Sequence, residues 1–160
     1  MKKYRLLILF IIVPLFTNAV AQENSIALTL GNFDILQNSY NSPEVRIEYK
    51  FDKLKYNVIP FSGIMANLDG AFFVFLGLQY DIKLLDFLFL TPSFSPGFYE
   101  KGRSKNLNFL LEFRTQVELS IKLENNKRLG INFNHISNGR LSLYNPGVES
   151  FAVSYIWCFN

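Results

Sequence analysis

The stretch Leu107-Asn108-Phe109-Leu110-Leu111-Glu112-Phe113-Arg114-Thr115-Gln116-Val117-Glu118-Leu119-Ser120-Ile121-Lys122-Leu123 alternates almost without a break. Its odd positions are apolar except Thr115, and its even positions are polar or charged except Leu110. Successive side chains of a strand leave opposite faces, so this segment has one greasy face and one charged face. Val45, Ile47, Tyr49 and Phe51 alternate with Glu44, Arg46, Glu48 and Lys50 in the same manner. Weaker runs of the same period cover Ser25–Gly31, Tyr56–Ala66, Ala71–Ile82, Phe87–Phe98, Leu129–Ser137 and Val148–Phe159, which brings the strands to eight. The short polar turns Asp52–Lys55, Lys83–Asp86 and Glu124–Arg128 alternate with the longer connections Asn32–Pro43, Tyr99–Asn106 and Asn138–Pro146. Asn67–Gly70 is the one tight turn on the long-loop side. The pattern predicts an all-β chain, an eight-stranded antiparallel up-and-down barrel with no internal linker.

Alternation alone does not say which face points inward. A soluble lipocalin-like barrel buries its apolar row around a ligand. A transmembrane barrel turns that row to lipid and fills its lumen with the polar one. Three features favour the membrane. On the two clearest strands Glu44, Glu48, Glu112 and Glu118 are matched by Arg46, Lys50, Arg114 and Lys122, so a packed lumen could pair its charges internally. The row Phe151, Val153, Tyr155, Trp157, Phe159 ends in aromatics, as an interfacial girdle does. Phe159, followed by Asn160, also resembles the terminal aromatic of outer-membrane barrels.

Residues 1–21 read as a cleaved signal peptide. Lys2, Lys3 and Arg5 precede the apolar run Leu6–Phe16, and Ala19-Val20-Ala21 supplies the small residues of a cleavage site. The apolar run is short for a membrane-spanning helix. Removing the leader takes three of the sixteen basic residues and none of the thirteen acidic ones, leaving 22–160 with zero net charge. That argues against a nucleic-acid or other polyanion partner. A single cysteine, Cys158, and a single histidine, His135, exclude a disulfide framework and any metal centre built on several histidines or cysteines.

The residues suited to chemistry lie in the last two strands. His135 and Ser137 are two apart and share a strand face, and Glu149 opens the strand that follows. A serine, an imidazole to take its proton and a carboxylate to orient the imidazole are the parts of an acyl-transfer triad. All three fall on the apolar rows: Leu129, Ile131, Phe133, His135, Ser137 on one strand and Glu149, Phe151, Val153, Tyr155, Trp157 on the next. Polar groups on a lipid face are costly and want a reason, and a triad opening sideways into the bilayer would supply one. The bland alternative makes His135 an interfacial polar residue and Asn138, Gly139, Asn145 and Gly147 ordinary loop formers. Tyr144 and Trp157 read as girdle, and Cys158 as an inert small hydrophobe.

The segments Phe133-Asn134-His135-Ile136-Ser137-Asn138 and Asn145-Pro146-Gly147-Val148-Glu149 resemble the lipid A 3-O-deacylase family of PagL type, whose members are eight-stranded outer-membrane barrels with an exterior Ser-His-Glu triad. The resemblance implies Ser137 as nucleophile, His135 as general base and acid, and Glu149 as its orienter. It implies Asn138, Gly139 or Asn145 as oxyanion donors. The implied reaction is hydrolysis of the ester-linked 3-hydroxyacyl chain at the 3-position of lipid A, with no metal or organic cofactor. The partner would be lipopolysaccharide of the outer leaflet, met by a membrane-embedded monomer or homodimer. Lys101, Arg103, Lys105 and Arg140 sit in the long loops as solvated cations or as contacts to lipid A phosphates. Other functions open to the sequence are a non-catalytic barrel of adhesion or envelope structure, a phospholipase on the same scaffold, and a soluble lipid carrier.

Overall fold

The computed structural model describes residues 24–159, so the expected signal peptide lies outside the described residues. The chain runs through β1 (Ser25–Phe33), β2 (Ser42–Lys50), β3 (Val58–Asn67), β4 (Phe72–Tyr80), β5 (Ile82–Leu85), β6 (Leu88–Glu100), β7 (Leu111–Lys122), β8 (Lys127–Ser137) and β9 (Val148–Cys158). Every neighbouring pair is antiparallel. β1 pairs with both β2 and β9, and β4 pairs with both β3 and β6, which closes the sheet. β5 continues the register of β4 along β6 after a break at Asp81, so the two form one stave. The result is a closed barrel of eight staves joined up and down, as the alternation predicts.

The burial pattern settles the orientation. Glu44, Arg46, Glu48 and Lys50 are buried while Val45 and Ile47 stand exposed. Along β7, Glu112, Arg114, Gln116 and Glu118 are buried and Val117, Leu119 and Ile121 exposed. The polar row faces the lumen and the apolar row forms the outer belt, the arrangement of a membrane barrel. Inside, Arg114 Nη2 donates to Glu48 Oε1 at 2.6 Å and its Nε donates to Ser95 Oγ at 3.2 Å. Arg46 donates to Asn132 and pairs with Glu44, and the Ser154 hydroxyl bonds both Thr29 and Asn132. Arg114 also lies 4.0 Å from the centroid of the Phe75 ring.

The polar filling does not extend through the whole lumen. Towards the long-loop end Phe33, Met65, Phe73, Tyr99, Leu107 and Ile136 form an apolar plug. This accounts for one difference from the sequence reading. Alternation predicts a strand from Leu107, but the strand begins at Leu111. Asn108 adopts a left-handed φ of 66°, and Leu107 turns inward to 1% exposure. The 101–110 segment thus folds over the barrel mouth instead of extending the stave, because burying Leu107 in the plug outweighs two further rungs at an exposed rim.

Candidate active site

His135 and Glu149 occupy directly opposed positions of the β8–β9 ladder. Directly paired residues of antiparallel strands project to the same face with Cβ atoms about 5 Å apart. Both side chains point outward, and His135 Nδ1 lies 2.8 Å from Glu149 Oε1. With Nδ1–H donating to the carboxylate, Nε2 is left with its lone pair, the form a general base needs. Glu149 is the more shielded partner, its side chain 16% exposed against 41% for His135. The imidazole therefore stands between the carboxylate and the surroundings.

Ser137 follows on the same outward row and pairs with Phe113 of β7. No hydrogen bond joins it to His135 among the described residues, so the structure brings together two of the three residues and sets the third on their face. The row continues as Leu129, Ile131 and Phe133, exposed to the belt, while Ile136, Asn134 and Asn132 point into the barrel. The group therefore sits at the long-loop rim of the apolar belt.

The loop 138–147 packs back on this group. Asn138 is fully buried and its donors are committed: Nδ2 donates to the carbonyls of Leu107 and Tyr144, and the backbone N–H donates to Asn145 Oδ1. Its Oδ1 accepts from the N–H of Arg140. Asn138 is thus the staple of the loop, while Gly139 and Asn145, the other two residues expected as oxyanion donors, are exposed. Gly147 carries more than its turn-forming type announces. It has φ +62°, and a Cβ placed there would come within 2.6 Å of His135 Cε1. The bare glycine forms one wall of the imidazole site. Its close approach to His135 is what distinguishes it, and the sequence shows this position only as Asn-Pro-Gly turn chemistry.

A groove of about 610 Å³ starts at His135 and descends the outer face past Thr115, Phe94, Val117, Pro92 and Leu78 to Val58. Thr115 is the rung opposite His135 on its other side, and Val117 pairs with Pro92. The trough exists because Thr115 is short and Pro92 flat in rows otherwise built of bulky residues. Phe94, one of its walls, is stacked on Phe113 with ring centroids 6.0 Å apart. Sequence reasoning missed these residues, since neighbours across a barrel are set by register and not by local spacing.

Of the four loop cations, Lys105 is not solvated: it is 5% exposed and its ammonium lies 2.7 Å from Asp34 Oδ1. Lys101, Arg103 and Arg140 are exposed.

The family model described as lipid A 3-O-deacylase (PagL) matches residues 32–157. The chain belongs to that family. Among solved structures, the outer-membrane enzyme PagL superposes with a TM-score of 0.68 at 18% identity, covering 84% of this chain and 99% of that one. A de novo designed transmembrane β-barrel gives 0.66 at 10% identity over 89% and 100% of the two chains. The Yersinia pestis outer-membrane protein Ail gives 0.50 at 11% over 85% and 99%. At these identities the superpositions speak for the barrel. No curated protein matches the sequence. Membership of the PagL family and the polar-in, apolar-out barrel together make this an outer-membrane protein.

Proposed function

We propose that this PagL-family barrel is an esterase that removes the ester-linked 3-hydroxyacyl chain from the 3-position of lipid A, using Ser137, His135 and Glu149. The observation that carries the reading is the outward-facing His135–Glu149 pair at the rim of the lipid belt. A paired imidazole and carboxylate on a surface meant for lipid is costly unless it acts on something that arrives through the lipid. The serine loses its proton to His135 Nε2 as it attacks the ester carbonyl, and the imidazolium so formed is held by Glu149. The Gly139 N–H and the Asn145 amide are the donors assigned to the oxyanion. Collapse expels the sugar hydroxyl, protonated by His135, and water then releases the fatty acid by the same route reversed.

The groove supports the reading independently. An acyl chain laid from His135 towards Val58 runs down the outer face with an apolar wall on one side and lipid on the other. The chemistry is then mainly one of positioning the ester at the depth of the nucleophile. The test is mass spectrometry of lipid A from cells expressing the protein beside a Ser137→Ala control. Loss of one ester-linked hydroxyacyl chain, absent in the control, is expected. Unchanged lipid A with folded protein in the outer membrane would refute the reading, and release of phospholipid acyl chains would replace the substrate.

A further inference from the structure

The buried pair Asp34–Lys105 lies outside the triad, yet a chain of bonds leads from it towards the triad. Asp34, completely buried, accepts Lys105 Nζ on Oδ1 at 2.7 Å. On Oδ2 it accepts the N–H groups of Ser39 and Tyr40, at 3.0 and 2.9 Å, which shapes the 34–41 loop. The same ammonium donates to Gln37 Oε1 at 2.9 Å, and Gln37 Nε2 reaches the carbonyl of Pro146 at 3.4 Å. The next residue of this loop, Ile35, donates its N–H to the carbonyl of Glu149 at 3.0 Å. From the other side, Leu107, two residues beyond Lys105, offers its carbonyl to Asn138 Nδ2 at 2.9 Å. The ammonium therefore joins the 101–110 loop to the 34–41 loop, and the residues beside it carry the ties on to Asn138, to Pro146 next to Gly147, and to Glu149 itself.

We infer that Lys105 and Asp34 are positioning residues for the reaction, a latch that holds the 145–149 segment so that Gly147 and Glu149 fix the imidazole of His135. A buried ion pair contributes little net stability compared with apolar residues of similar size, so retaining one here calls for a geometric task. Electrostatic partners that lock a loop in one arrangement provide it. The inference rests on the proposed function, and its test separates the two.

Four proteins are compared with the wild type, each shown folded by its heat-dependent gel mobility: Lys105→Met, Asp34→Asn, the double variant, and Ser104→Ala. Ser104 accepts a hydrogen bond from Asn67 and so anchors the same loop on the side away from the triad. Two readouts are taken, deacylation kinetics on detergent-dispersed lipid A and the rate at which a fluorophosphonate labels Ser137. Lys105→Met is expected to lower kcat and the labelling rate by about tenfold or more, with KM within about twofold, because a catalytic group displaced by a fraction of an ångström loses that much. The double variant falls no further than the worse single variant, as expected for two residues acting as one unit. Ser104→Ala keeps the wild-type kcat. A folded Lys105→Met with wild-type kcat and labelling, or one whose defect lies in KM alone, overturns the latch while leaving the function standing. A loss in Ser104→Ala equal to that in Lys105→Met also overturns it. A wild-type chain that neither deacylates nor labels at Ser137 overturns both.

Discussion

Replacing Gly147 by alanine separates catalytic geometry from fold strength. Gly147 has φ +62°, a conformation that costs an L-residue with a Cβ about 1–2 kcal/mol. The added methyl would lie 2.6 Å from His135 Cε1. Carbon atoms in contact rest about 3.5–4.0 Å apart, so the ring or the loop must yield by roughly 1 Å. The imidazole is held by its 2.8 Å bond to Glu149, and a shift of that size takes Nδ1 out of hydrogen-bond range. Displacements of this order cost about 10²-fold in rate. Gly147→Ala should therefore lower kcat about a hundredfold while the barrel remains folded. Gly70→Ala is the control: Gly70 has φ +82° with nothing within 4 Å of its added Cβ, so it carries the backbone strain without the clash. Rates come from mass-spectrometric deacylation assays in detergent, and stability from the temperature at which the unheated gel form is lost. Gly70→Ala should lose stability and keep its kcat. Gly147→Ala within threefold of wild type, or a Gly70→Ala rate that falls equally, would refute the reasoning.

Four further outcomes follow from the same geometry. Glu149→Gln keeps the size of the side chain but removes the charge that stabilises the imidazolium, and should reduce kcat on the order of 10³-fold in the same assay. Arg114→Leu leaves Glu48 buried without its 2.6 Å partner and should cost about 3–5 kcal/mol, seen as a lower gel-shift temperature, with much of the loss recovered in Arg114→Leu/Glu48→Leu. Val117→Trp fills the middle of the groove and should move the released fatty acids towards shorter chains without altering the rate of fluorophosphonate labelling. Val153→Arg, on the exposed row of β9, should destabilise the barrel by about 2–4 kcal/mol in bilayer refolding titrations, more than any lumen-neutral change on that strand.

The staves were legible because a strand repeats every two residues and a closed barrel needs each one to obey that rule. Glu112, Arg114, Gln116 and Glu118 on one face of β7 and Val117, Leu119 and Ile121 on the other carry the fold by themselves. The direction of the faces was legible from the balanced charges of Glu44, Arg46, Glu48 and Lys50. What periodicity cannot register is where a stave stops. Leu107–Phe109 keeps the alternation, yet Asn108 ends the stave with a left-handed φ and Leu107 joins the plug. Asp34 and Lys105 are 71 residues apart in sequence, so each looks like an ordinary loop charge until the loops meet. Thr115, Val117 and Pro92 become a groove only once β6, β7 and β8 are placed side by side. The residues proposed as a triad, His135, Ser137 and Glu149, lie within fifteen residues of one another, which is why the sequence could propose them, and the residues that brace them do not.

The division of labour between strands and loops explains how a polar site persists on a lipid-facing wall. The β8–β9 register sets His135 against Glu149, and that register is shared with every rung from Lys127 to Ile136. It cannot slip by one residue without turning Leu129, Ile131 and Phe133 into the lumen and Asn132 and Asn134 to lipid. The contact between His135 and Glu149 is therefore as secure as the barrel itself, reinforced from inside by Arg114, Glu48 and the apolar plug. Gly147, Gly139 and Asn145 ride on a loop held by the Asn138 staple and the neighbouring loops. Changes in the staves should accordingly appear first as loss of folded protein, and changes in the loops as loss of kcat in a barrel that still folds. A loop substitution that unfolds the barrel while leaving the kcat of the surviving fraction intact would contradict this partition.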